Sequence, residues 1–163
     1  MTVASGATLG GSGTITGAVT VTGSIAPGVS GIDSLDVGAT TWKGAATAGS
    51  ATDWKFDLGA SDTEDLLNIT GDFTKDATAG TNFRFDFLNS AVAGTFDLIT
   101  WSGSNVGFSA SDFSFTNLGT GYTGSFTISG STLQFMSAIP EPSSALLSGL
   151  LIGAGLLRRR RQG

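Results

Sequence analysis

The sequence predicts an all-β body of short strands and tight turns, built as a solenoid with a sandwich-like or capping carboxyl-terminal part and followed by one transmembrane helix. Three observations carry this. Glycine supplies 25 of 163 residues, roughly double the average usage of about 7%. Serine and threonine supply 42 more, and β-branched Val, Ile and Thr fill the gaps between glycines, a composition that suits pleated strands and punctuating turns. Finally, an apolar run from Ala145 to Leu157 contains nothing more polar than Ser148 and stops at four arginines.

Residues 6–31 have Gly at least every six positions, which a helix would not survive. Thr14-Ile15-Thr16 and Val19-Thr20-Val21-Thr22 are too short to stand alone as hairpins and need neighbours stacked above or below. From Asp53 the alternation sharpens. Trp54, Phe56 and Leu58 fall on one face, with Asp53, Lys55 and Asp57 on the other; Phe83, Phe85 and Phe87 repeat the pattern around Arg84 and Asp86. Further strands are expected at 65–70, 94–101, 112–116, 122–129 and 131–136, with connections rich in Gly, Ser, Asn and Asp. The chain therefore divides into Gly/Thr-rich coils at 1–52, an aromatic-rich cap or sandwich at 53–138 and a terminal segment at 139–163. A solenoid needs such a cap, because an uncovered last coil leaves strand edges unpaired. With 40% hydrophobic residues, 11 Phe and 3 Trp, apolar surface is sufficient for a core.

The chain has no His and no Cys. That removes Ser-His-Asp triads, cysteine nucleophiles, thiolate and imidazole metal sites and disulfides, so neither a cofactor nor a metal is expected. Residues 1–138 carry 12 acidic and 4 basic side chains, whereas 139–163 carry Glu141 against Arg158, Arg159, Arg160 and Arg161. An acidic body offers no field for phosphates, and nucleic acid is not an expected partner.

The terminal segment opens with Pro140-Glu141-Pro142, which proline geometry keeps extended and readable by an enzyme. Ser143 or Ser144 can cap a helix whose apolar wall is Ala145, Leu146, Leu147, Gly149, Leu150, Leu151, Ile152, Gly153, Leu156 and Leu157. From Ser143 to Leu157 such a helix spans about 22 Å, short of a hydrocarbon core of about 30 Å, a mismatch that local thinning and arginine snorkelling absorb. The arginine cluster stays cytoplasmic by the positive-inside bias and leaves the acidic body on the far side. Ala145, Gly149 and Gly153, four apart, form a small-residue face suited to close helix contact.

Pro140-Glu141-Pro142, the short apolar helix and the arginine cluster, in that order, resemble the PEP-CTERM sorting signal of bacteria. The resemblance covers 139–161 and implies that exosortase, an integral-membrane cysteine transpeptidase, handles the chain at or near the tripeptide. It implies transient residence in the inner membrane, then release or transfer to the cell surface or extracellular matrix. The body is similar, over roughly 6–101, to the end of autotransporter-associated β-strand repeat proteins. Its GATLGGSGTITGAVTVTGSIAPG stretch, Asp65-Leu66-Leu67-Asn68-Ile69-Thr70-Gly71-Asp72-Phe73 and Thr95-Phe96-Asp97-Leu98-Ile99 carry the likeness, which implies a parallel β-helix. Met1 to Gly6 has neither a basic region nor an apolar run, so no secretory signal is expected there; the resemblance then implies either a longer chain or a start further upstream.

The other constellations have plain readings. Asp62, Glu64 and Asp65 crowd one loop and Asp53 and Asp57 flank Trp54, but their spacing fits no calcium loop, and solvated turn residues are expected. Gly10, Gly11, Gly13 and Gly17 lack the Lys-Ser/Thr of a phosphate loop and are turns. Thr14-x-Thr16 and Thr20-x-Thr22 lie six residues apart, closer than the coil-to-coil spacing of about 20 residues that a stacked threonine ladder requires. The expectation is thus a non-enzymatic exported surface protein. The alternative is a carbohydrate-binding module or adhesin for envelope polysaccharide, with Trp42, Trp54, Trp101 or Tyr122 as stacking platforms.

Overall fold

The computed structural model describes residues 1–28, 31–49, 51–60 and 63–140. Among these the chain is all-β, with one short 3₁₀ turn at Ala110–Asp112. The principal sheet is built mainly of parallel strands. Its first members are β1 (Thr2–Val3), β4 (Val19–Val21), β6 (Ser34–Trp42), β10 (Leu66–Lys75) and β12 (Gly94–Trp101), hydrogen-bonded in that order. Two short strands join its flanks: β3 (Gly13–Ile15) beside β6 and β13 (Asn105–Val106) beside β10.

Opposite lie the parallel pair β2 (Thr8–Gly11) and β5 (Ser24–Pro27), and the parallel trio β7 (Trp54–Lys55), β11 (Phe83–Ser90) and β14 (Phe113–Leu118). The Ser24 hydroxyl donates to the Asp53 carbonyl at 2.5 Å and links β5 to the start of β7. A small antiparallel pair, β8 (Leu58–Gly59) and β9 (Thr63–Glu64), lies beyond β7. The principal sheet ends in an antiparallel hairpin, β16 (Thr132–Ala138) against β12 and β15 (Thr123–Ser129) against β16.

Between the two layers lies one apolar core. Leu35, Leu67 and Ile99 occupy one inward column, and Val37, Ile69 and Trp101 the next, because parallel register stacks like on like. Facing them are the rings of the second layer: Trp54 stacks on Trp42 of β6 with centroids 3.7 Å apart, and Phe83 and Phe85 meet Trp42 edge-on. Parallel pairing runs unbroken across residue 53, since β6 pairs with β10 and β7 with β11.

Strict alternation from Leu35 and Val37 would turn Trp42 outward. Instead β6 changes parity at Gly38–Ala39, opposite a bulge in β10 between Thr70 and Phe73, and Thr40 and Trp42 come inside. Gly71, at φ 129°, sits in that bulge against the Ala39 side chain, a conformation that glycine adopts without strain. β12 repeats the device: Phe96 and Leu98 point inward, the register to β16 shifts between Asp97 and Ile99, and Ile99 and Trp101 then also point inward.

Candidate functional site

β16 leads the chain to Pro140, the first residue of the expected processing motif. The strand ends at Ala138, and Ile139 (60% exposed) and Pro140 project into solvent. Glu141, Pro142, the apolar run from Ala145 to Leu157, the small-residue face and Arg158 to Arg161 lie outside the described residues. Among the described residues no helix is long and apolar enough to cross a membrane.

The tryptophans proposed as stacking platforms occupy the core. Trp42, Trp54 and Trp101 are 1%, 0% and 4% exposed, and Tyr122 is half-buried. None of the three indoles can meet a sugar ring without the body opening.

The carboxylates separate into local clips rather than converging on a site. Asp53, expected on a solvated face, is buried at 2% exposure because Arg84 covers it, donating from Nε at 3.1 Å and Nη2 at 2.8 Å; the Gly49 amide donates to its other oxygen. The hydrogen bonding of its guanidinium to Asp53 raises the Arg84 pKa above its ordinary value. Glu64 Oε1 accepts the Asp97 amide at 3.0 Å. Asp65 is buried and spans two segments, accepting the Asp33 amide at 3.0 Å and the Asp57 amide at 2.9 Å. Asp62 lies outside the described residues. Among those described, no group of three carboxylates could hold a metal ion.

One open cleft, about 460 Å³, runs across the outer face of the second layer. Small residues such as Gly10 and Ala26 make its floor, while Lys55, Asp57 and the exposed Leu88 rise from later strands as its wall. Asp65 reaches it, yet both carboxylate oxygens are engaged by main-chain amides, so this side chain clips segments together. Three of the four glycines read as turns are strand residues instead: Gly10 and Gly11 pair with Ala26 and Pro27 in the β2–β5 ladder, and Gly13 pairs with Leu35, while Gly17 alone lies in a bend.

The outer face of the principal sheet carries two polar columns that sequence spacing did not reveal. Thr2, Thr20, Thr41 and Thr74 stand in register across β1, β4, β6 and β10, so a threonine ladder exists. Its members come from unevenly spaced strands, and of the expected candidates only Thr20 belongs to it. The second column is Thr14, Asp36, Asn68, Thr100 and Thr132. Thr14 and Asn68 donate to Asp36 at 3.5 and 2.9 Å, and the Thr100 hydroxyl donates to Asn68 Oδ1 at 2.7 Å. The last two bonds each join residues 32 apart in sequence, a spacing visible in Leu35-Asp36-Val37, Leu67-Asn68-Ile69 and Ile99-Thr100-Trp101. Asn68→Ala removes the centre of this column and is expected to cost about 1–2 kcal/mol, the net worth of two partly exposed hydrogen bonds. A lowered urea midpoint at unchanged slope is the readout.

The chain matches no protein-family model, no curated protein and no solved structure.

Proposed function

We propose that this chain is an exported, non-enzymatic protein of the bacterial cell surface or extracellular matrix, with a two-sheet solenoid body sorted by a PEP-CTERM signal. The observation that carries the reading is the junction at Ala138. The body closes its last strand there, and the next residues, Ile139 and Pro140, are exposed, so the Pro-Glu-Pro tripeptide begins where the chain leaves the sheet. A membrane protease needs such a junction, where a compact body gives way to accessible chain. The apolar run then holds the body at the inner membrane, with Arg158 to Arg161 in the cytoplasm, until exosortase acts.

The parallel register supports the solenoid. Asp36 to Asn68 and Asn68 to Thr100 each advance 32 residues and return to the same column; the earlier turn from Thr14 to Asp36 takes 22. Each turn crosses both layers, and the antiparallel β15–β16 hairpin closes the principal sheet. With Asp53, Glu64 and Asp65 committed to structural clips and no imidazole or thiol in the chain, the body acts as a presented scaffold.

The test is the combined Pro140→Ala, Glu141→Ala and Pro142→Ala variant, expressed in a host with exosortase. The expected product is longer than wild type and stays with the membrane fraction. Processing and release at the wild-type rate would overturn the reading.

A further inference from the structure

We infer that the free edge at β15 is a self-association surface, on which a second copy of this chain seats by antiparallel pairing of β15 with its twin. β15 is the last strand of the principal sheet. One side pairs with β16 along its whole length, from Thr123–Ala138 to Ser129–Thr132, and the other pairs with no strand among the described residues. In an antiparallel ladder each side uses only part of a strand's main-chain groups, so this edge presents a row of unused donors and acceptors.

β14 ends the second layer in the same way. Phe126 of β15 lies 5.7 Å from Phe113 and 6.2 Å from Phe115 of β14, ring to ring. The two free edges therefore border one apolar seam, in which Phe115, Leu118, Phe126 and Ile128 are only partly buried.

Edge strands are ordinarily blunted by lysine, proline or a bulge. β15 reads Thr-Gly-Ser-Phe-Thr-Ile-Ser, with no charge or proline, and its register to β16 has no shift. The charge distribution admits a second copy at this edge. From Phe113 to Pro140 no residue is charged, whereas all 12 acidic and 4 basic side chains of residues 1–138 lie before it. Two copies of this acidic chain therefore meet strand to strand along β15 without setting carboxylates of the two strands against each other. A two-fold axis through the edge makes the strand complementary to itself and closes the assembly at two copies. This inference stands independently of the delivery route.

Because the chain has no cysteine, single cysteines report the geometry cleanly. Thr123, Ser125, Thr127 and Ser129 are exposed and are replaced in turn by cysteine in the full chain held in detergent micelles, with Ala46→Cys and Ser102→Cys as controls elsewhere. Under mild oxidation the position nearest the two-fold axis is expected to form a covalent dimer, because only there do Cα atoms come within about 4.4–6.8 Å. Cross-linking falls away on both sides of that position and stays low at the controls. Thr127→Lys, which sets like charges across the axis, is expected to weaken the dimer by at least about tenfold in sedimentation. A monomer throughout, cross-linking as strong at the controls, open-ended oligomers, or a dimer indifferent to Thr127→Lys would each overturn the inference. The cysteine positions face solvent, so the folded body is preserved in every variant.

Discussion

Replacing Phe85 by alanine is expected to lower the stability of the body by about 3–5 kcal/mol, the largest loss from any single truncation considered for this chain. Phe85 is fully buried, and its ring is where the layers meet. It contacts Trp42 edge-on at 5.6 Å, Trp54 at 6.3 Å, Phe56 at 5.3 Å and Phe126 at 5.3 Å. Four different strands or connections contribute these rings, so no single segment can move to fill the void. Rings held edge-to-face also lose their favourable quadrupole contacts, about 0.5–1.5 kcal/mol per pair. Against a typical domain stability of about 5–15 kcal/mol, this takes much of the margin. Urea unfolding followed by tryptophan fluorescence measures it directly, since Trp42 and Trp54 stack beside the truncated ring. A loss under about 1 kcal/mol would mean that the aromatic cluster repacks, contrary to a core fixed by interlocking rings.

The strands around that ring were legible because their chemistry is local. Phe83-Arg84-Phe85-Asp86-Phe87 alternates over a single strand, and the two-residue period needs no knowledge of what lies opposite. Two features were less legible because they depend on pairing. Trp42 comes inside through a parity change at Gly38–Ala39 that answers a bulge in β10, 32 residues further on, and nothing within Ser34–Trp42 announces it. The threonine ladder was obscured because the turn lengths differ: a constant period would have aligned Thr2, Thr20, Thr41 and Thr74 in the sequence, and their strands are unevenly spaced. Asp53 followed the alternation yet ended buried, because Arg84 of a neighbouring strand covers it. The expected processing motif rests on residue order alone, and of its three residues only Pro140 is among those described.

Raising the pH from about 4 to about 7 is expected to cost the wild-type body about 2 kcal/mol relative to an Asp65→Asn variant. Burial pushes the Asp65 carboxyl from 3.8 up to about 6; the amides of Asp57 and Asp33 pull it back only in part, and the neighbouring charges of Asp57 and Asp33 add to the rise. Below 3.8 both folded and unfolded chains hold the proton. Between 3.8 and about 6 only the folded chain holds it, so the unfolded state binds fewer protons and stability falls as pH rises. Above about 6 the buried carboxylate is ionised and the full cost is present. Asp76, held low by the Thr78 hydroxyl and amide, acts in the opposite sense. So does Asp112, where burial pushes upward but Lys75 and Ser109 outweigh it. Both lose their contribution as pH falls, and the wild-type curve alone therefore mixes the two signs. The difference between wild type and Asp65→Asn isolates the clip, because asparagine carries no charge at any of these pH values and both of the other carboxylates remain. Urea midpoints for the two proteins should draw together, or cross, as pH rises. If wild type instead gains on the variant with rising pH, the two amides stabilise the carboxylate more than burial penalises it, and Asp65 titrates below its ordinary value.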